Sequence, residues 1–489
     1  MPDPKWLRLT GLAFMVASMA SVAVFAQSPD TKNAPQPKAP AAKVDTKAAP
    51  KSANAAASEP KPATATAAPL DLAESFRDPR VDDALSADLI KELPLPKGFT
   101  PSREKEVLAI AAGKGDIKPP LIAQFVEAKA AELTNKKSIE TLISGEGTVN
   151  TLVRPIESAT KALIKASRDS NAVGNTPFMS VYTASLIRVF QPQLKAHLVT
   201  RVQAVQALAS TGSLDVNPVL VSVIGDDTQP WQVKMIALEG INNAIQGGKR
   251  PLGFTQRTQL TIAVLNMLRE EKTAPWFLKA QASKLIGNLR IVSELVSERK
   301  VVPAETLMSF LSDSAERPEV RFEAARSLGL LDVPSQFRPY NYLLVTVALS
   351  EAVAQSATLV TTMTPSDSSR TQQLVAIMAD KVSPAFLGIQ GLVDSGILRQ
   401  AEVGQADPAA RAAINELFAK IKDVVNTAAN YSRARGDLIQ ARRADLQGRV
   451  VELQKLIDKH QPKDRTLNKG GKAFEIKTKV APAQVAQGQ

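Results

Sequence analysis

The chain has 489 residues, 44% of them hydrophobic, enough apolar side chain for a sizeable core, which excludes a chain disordered throughout. It contains no cysteine, and this excludes disulfides, thiolate metal sites, a cysteine nucleophile and a lipid-anchored N-terminal cysteine. The formal charge of +12 sits mostly at the ends: residues 431–489 carry 13 Lys/Arg against 6 Asp/Glu and residues 27–70 carry 6 against 3, so any general attraction to polyanions belongs to the tails.

Residues 1–26 have the layout of an export signal. Lys5 and Arg8 lead, an apolar run covers residues 9–25, and Val24 and Ala26 supply small residues before an expected cut after Ala26. The run is also long enough for an uncleaved anchor, and only in that case is a membrane contact expected. A thiol-free exported chain suits the periplasm, the cell envelope or the exterior. Residues 27–69 are Ala, Pro, Lys, Thr and Ser with almost no large apolar side chain, and such a segment cannot offset its ordering entropy, so a disordered linker is expected there. A helical region is expected over residues 70–174, with a Gly-containing break at "SGEGT", residues 144–148.

In "PEVRFEAARSLGLLD", residues 318–332, Val320, Ala324, Leu328 and Leu331 recur at helical spacing, with Arg321, Glu323 and Arg326 off that stripe. One face is expected to be buried and the other wet. Small residues in the middle of a buried stripe let a neighbouring helix approach closely, so alanine there points to a helix sandwiched between others. The signature recurs at Thr200, Arg201, Ala204 and Leu208; at Val233, Lys234, Ala237 and Ile241; and at Leu278, Lys279, Ala282 and Ile286. Offsets of 33, 45 and 42 residues suit a two-helix unit with variable loops. Amphipathic segments such as "DVNPVLVSVIGDDTQPWQ" and "PAETLMSFLSDSAERPE" precede the copies and end in Asp-containing turns.

This order of helix, Asp turn and basic alanine-bearing helix resembles HEAT repeats over residues 175–332. The resemblance implies an α-solenoid that binds other macromolecules. It also gives the basic position two alternative roles: Arg201, Lys234, Lys279 and Arg321 contact a protein partner from the wet faces, or they serve a neighbouring repeat's turn, with Asp226 and Asp313 as the turn partners. Thr200 stands where an apolar residue is usual and the first copy lacks the Asp turn, so the array's N-terminal edge is open. An ordinary helical domain with chance recurrence is the competing reading.

Beyond the repeats, residues 335–460 are expected to form long helices. The apolar run at residues 340–360 is interrupted by Glu351 and Gln355, so a buried core helix is expected rather than a membrane span. Asp407 followed by Pro408 marks a helix start. Leu446, Val450, Leu453 and Ile457 form a short seam, either coiled coil or the packed face of a helical hairpin, with the hairpin favoured. Residues 461–489 are expected to form a flexible basic tail.

The search for chemistry is negative. His197 and His460 are the only histidines, and no paired-His spacing or HExxH motif occurs, so no metal site is expected. His197 is read as a partly exposed packing or capping residue. Ser102 with Lys105 and Ser158 with Lys161 match SxxK without its companion motifs. Gly145 and Gly147 lack the third glycine of a dinucleotide loop, and "NKGGKAF" lacks phosphate-loop spacing. The carboxylate pairs Asp82 with Asp83 and Asp226 with Asp227 read as caps and solvated turns. Aromatic residues are only 4%, too few for nucleic-acid stacking platforms. The expectation is therefore an all-α, non-catalytic scaffold for protein partners, without cofactor, catalytic residue or nucleic acid. The alternatives are an envelope-surface binder whose basic tail meets acidic polymers, and an enzyme assembled from residues scattered in sequence.

Overall fold

The computed structural model describes residues 78–144, 154–247, 251–271, 273–293, 300–363, 368–392 and 394–476. The stretches read from sequence as an export signal and a linker, nearly all of the Gly-containing break and residues 477–489 of the expected basic tail lie outside the described residues. Among the described residues the fold is all-α, with no strand and two isolated bridges, Ile291 with Asp332 and Thr466 with Ala473.

The first helices are α1 (Arg80–Ala84), α2 (Pro101–Ala111), α3 (Pro119–Leu133), α4 (Lys136–Ser144), α5 (Arg154–Val173) and α6 (Thr176–Phe190). Then come α7 (Leu198–Ala209), α8 (Asn217–Ile224), α9 (Trp231–Gly247), α10 (Phe254–Glu270), α11 (Trp276–Leu289), α12 (Val302–Ser312) and α13 (Pro318–Leu330). The last are α14 (Tyr342–Thr362), α15 (Ser368–Leu387), α16 (Ile397–Val403), α17 (Pro408–Ser432) and α18 (Leu438–Lys459). Local chemistry sets several starts. Thr100, Asn175, Asn341 and Asp407 each accept a backbone N–H of the helix they open, and Pro101 and Pro408 occupy the first turn, where no N–H is needed.

The alanine-bearing helices form a row in which α7 packs on α9, α9 on α11, α11 on α13 and α13 on α15. The helices α8, α10 and α12 pack on α9, α11 and α13 respectively. Small side chains meet wherever the row is closest. A Cβ added to Gly287 of α11 would lie 2.6 Å from Ser327 Cβ of α13, and one added to Gly329 of α13 would lie 2.9 Å from the Ala385 carbonyl carbon of α15. No larger residue fits there without separating the helices.

The expectation of one buried and one wet face fails for α13. Every residue from Val320 to Leu330 is buried, including Arg321, Glu323 and Arg326, because α11, α12, α14 and α15 all pack around it.

The apolar helix α14 is long and apolar enough to cross a membrane by length and composition, but 78% of its apolar window is buried within the protein. It is the core helix of the C-terminal half, packed against α12, α13, α15, α17 and α18. Leu446, Val450, Leu453 and Ile457 are all buried, and α18 packs on both α17 and α14. This is the hairpin, not a free coiled-coil seam.

The flexible tail expected from residue 461 does not begin there. Residues 461–476 return across the fold with Leu467, Phe474 and Ile476 buried. Asn341 N donates to Leu467 O at 2.8 Å, and Lys472 N donates to Glu305 Oε1 at 2.9 Å. A few apolar side chains in a basic, Gly-containing stretch are enough to hold it down when a groove receives them.

Candidate functional site: polar joints between the helices of the row

The basic position of the repeat signature lies inside the protein. Lys234 of α9 has a 1% exposed side chain, and its Nζ stands 2.7 Å from Glu271 Oε1, at the end of α10. Lys279 of α11 repeats the contact one unit later, with Nζ 2.6 Å from Glu316 Oε2 between α12 and α13. In both joints the acid lies 37 positions after the lysine. A charge in the crowded row needs a partner, and the partner comes from the next helix pair.

Each joint is closed by a tryptophan and an arginine. Arg317 sits 4.4 Å over the ring of Trp276. Trp231, 45 positions before Trp276, has Arg80 at 5.6 Å over its ring. The N-terminal segment thus places over the first tryptophan the cation that the next joint takes from Arg317. Arg80 also donates to Glu271 through Nη1 at 2.5 Å and Nη2 at 3.2 Å, and Trp231 Nε1 donates to Glu271 Oε2 at 2.9 Å. Burial alone would raise the Glu271 carboxyl pKa, but the bonds from Arg80, Lys234 and Trp231 outweigh it and hold the group at about 2. Asp78, fully buried, accepts from Arg80 Nε at 2.8 Å and from Trp231 N at 2.5 Å.

The row's ends use backbone and amide partners. Arg201 donates through Nε to Ala196 O at 2.5 Å and through Nη2 to Lys195 O at 3.4 Å. Arg321 donates through Nε to Leu311 O at 3.0 Å and through Nη1 to Gln355 Oε1 at 2.6 Å. Burial brings the Arg321 pKa down to about 10 against the pull of Asp313, Glu351 and Glu316.

Arg201, Lys234 and Arg321 are therefore not on wet faces, and Lys279 is only partly exposed. The physical reason is that their helices are flanked on both sides. Asp226 and Asp313 act on the basic position by charge and not by direct bonds, Asp226 on Arg201 and Asp313 on Arg321. Asp226 accepts from Thr228 N at 2.9 Å, Thr228 Oγ1 at 2.7 Å and Gln229 Nε2 at 3.2 Å, and Asp313 accepts from Ala315 N at 2.9 Å, so each organises its own turn. Glu271, Glu316, Arg80, Arg317, Trp231 and Trp276 escape the sequence reading, although the shared 45-residue offset of lysine, acid and tryptophan carries the signal.

His197 is fully buried, against the expectation of partial exposure. It caps α7: Nδ1 accepts from Val199 N at 3.3 Å, which leaves Nε2 to donate to Leu85 O at 3.2 Å. Burial lowers its pKa, in keeping with a ring whose Nδ1 accepts a hydrogen bond. His460 meets Glu416 at 2.7 Å on the surface. Both SxxK matches lie on exposed helix faces, and Lys161 pairs with Glu157 at 3.3 Å. Among the described residues no group of three or more His, Asp or Glu is placed to hold a metal ion. An open groove between α15, α16 and α17 is lined by Phe386, Leu387, Leu398 and Arg411 with the mutually paired Arg399 and Glu402, 2.8 Å apart. The joints couple charges and rings across helix pairs and have the chemistry of fasteners. Comparison with family models, with curated proteins and with solved structures finds no match to this chain.

Proposed function

We propose that the chain is an exported, non-catalytic scaffold of the periplasm or cell envelope, built as an α-solenoid of HEAT-like helix pairs that hold a protein partner on an exposed face. The observation carrying this reading is the repeated joint: Trp231, Lys234 and Glu271 recur as Trp276, Lys279 and Glu316, each linking one helix pair to the next. Stacked units joined in this way present a long surface, and repeat arrays use such surfaces for binding. With the basic positions consumed inside the row, partner contacts belong to the exposed faces of the outer helices and to the groove beside α16. The linker of residues 27–69 supplies reach, and the basic segment beyond Ile476 adds weak contact with acidic envelope polymers.

The test is crosslinking capture from the cell envelope with the mature chain and with a chain ending at Ile476. A saturable protein partner held equally by both supports the scaffold. Capture that needs residues 477–489 and disappears in high salt overturns it in favour of electrostatic attachment.

A further inference from the structure

Glu351 lies in the middle of α14 and is only 2% exposed. Its Oε1 accepts from Gln454 Nε2 of α18 at 3.2 Å, while its Oε2 is buried without a hydrogen-bond partner. Gln454 Oε1 is buried without a partner as well. The amide orientation is determined by its surroundings, because Nε2 also lies 3.4 Å from Asp458 Oδ1, and a flipped amide would turn its oxygen toward two carboxylates. An ionised Glu351 thus leaves two buried acceptors, on side chains already joined, with no donor for either. Each such orphan carries the full penalty of a polar atom taken out of water with no bond in return.

One proton removes both. A carboxylic acid supplies an O–H donor on Oε2, the complement of the amide oxygen that lacks one, and acid and amide then share two parallel bonds. No neighbouring cation hydrogen-bonds the carboxylate. Arg321 of α13 gives Nη1 to Gln355 and Nε to Leu311 O, and its charge is shared among Asp313, Glu351 and Glu316. Asp458 of α18 presents a like charge. Burial pushes the Glu351 pKa up and Asp458 adds to this, against the Gln454 bond and the charge of Arg321.

We propose that the chain takes up one proton from solvent at Glu351 when α18 docks on α14, and that the neutral acid donates from Oε2 to Gln454 Oε1, so that docking tightens as pH falls. The docked form holds more protons than the undocked one, so this stabilisation is present at low pH and is lost as pH rises through the raised pKa. Other charged groups face α18 from α17: Glu416 meets His460, Lys420 meets Glu452, and Asp423 meets Arg449. Of these, the His460 to Glu416 contact is an ion pair only when the imidazole is protonated, so His460 is replaced in the test.

The test is hydrogen exchange of the backbone amides of residues 446–457 between pH 5 and 8, corrected for intrinsic rates, in the full chain carrying His460→Gln. Protection is expected to fall by up to about tenfold per pH unit across part of that range. Adding Glu351→Gln places an amide where the acid stood, makes the same two bonds without a proton, and is expected to flatten the profile at the high-protection level. An unchanged slope in the double variant, or a flat profile in the single one, overturns the proposal. A measurement independent of that variant is the infrared band of a protonated carboxyl in the wild-type chain where α18 is fully protected. Its absence also overturns the proposal, and Glu239→Gln removes the contribution of the half-buried carboxyl on α9 whose pKa burial also raises.

Discussion

At the scale of single residues, Glu271 is the acid on which the first joint depends. Its carboxyl is held at about 2 in the fold against an ordinary 4.5, so the unfolded chain binds the proton more readily. The resulting stability is present above pH 4.5 and is lost as pH falls toward 2. Glu271→Gln is expected to remove on the order of 2 kcal/mol at pH 7 and to flatten the acid limb of the stability curve, read by urea unfolding from pH 7 to 3. Lys234→Met leaves Glu271, whose side chain is 11% exposed, with Arg80 as its remaining cation, at an expected cost of about 3 kcal/mol. Lys279→Met, at a joint whose lysine is 25% exposed, is expected to cost about 1 kcal/mol by the same measurement. Equal losses at the two lysines would contradict the assignment of Lys234 as the buried member.

At the scale of elements, the row of alanine-bearing helices depends on close approach. An exposed helical Gly→Ala change stabilises by up to about 1 kcal/mol, because alanine has the better helix propensity. At Gly287 the new Cβ would meet Ser327 of the next helix at 2.6 Å, and overpacking of this kind costs about 1–3 kcal/mol. Gly448 on α18 has nothing within 4 Å of such a Cβ. Gly287→Ala is therefore expected to lower the thermal midpoint and Gly448→Ala to raise it, by calorimetry. Matching signs would mean that α11 and α13 are not in close contact. The alanines of the sequence signature predict this closeness, but the glycine on one helix meeting a serine on the other is visible only once the two are paired. The charged tie between α13 and α15, Lys381 to Glu323 at 3.0 Å, is equally invisible in sequence, since the two residues are separated by the whole of α14.

At the scale of the whole molecule, the chain after His460 acts as a strap, not a tail. Leu467 is fully buried, and Phe474 and Ile476 are nearly so. Burying a large apolar side chain is worth about 1.5–3 kcal/mol, so a stop after His460 is expected to destabilise the fold by on the order of 4 kcal/mol. A stop after Ile476 is expected to leave the thermal midpoint unchanged. If both truncations melt like the full chain, the strap contributes nothing and its burial has no energetic consequence. The same strap reaches α12 through Glu305, so losing it also exposes the start of α14, where Asn341 receives it.

The sequence by itself determined the helical character, the position of several helix starts, the recurrence of a basic, alanine-bearing helix, and the burial of an apolar helix bearing Glu351. These features follow from periodicity, capping and composition, which act over a few residues. Tertiary structure decided where the charges went. Arg201, Lys234 and Arg321 read as solvated because an amphipathic stripe predicts a single buried face, whereas a helix inside a row is covered on more than one. Glu271 and Glu316 became the partners because stacking helix pairs brings residues 37 positions apart into contact, and a local pattern does not specify that distance.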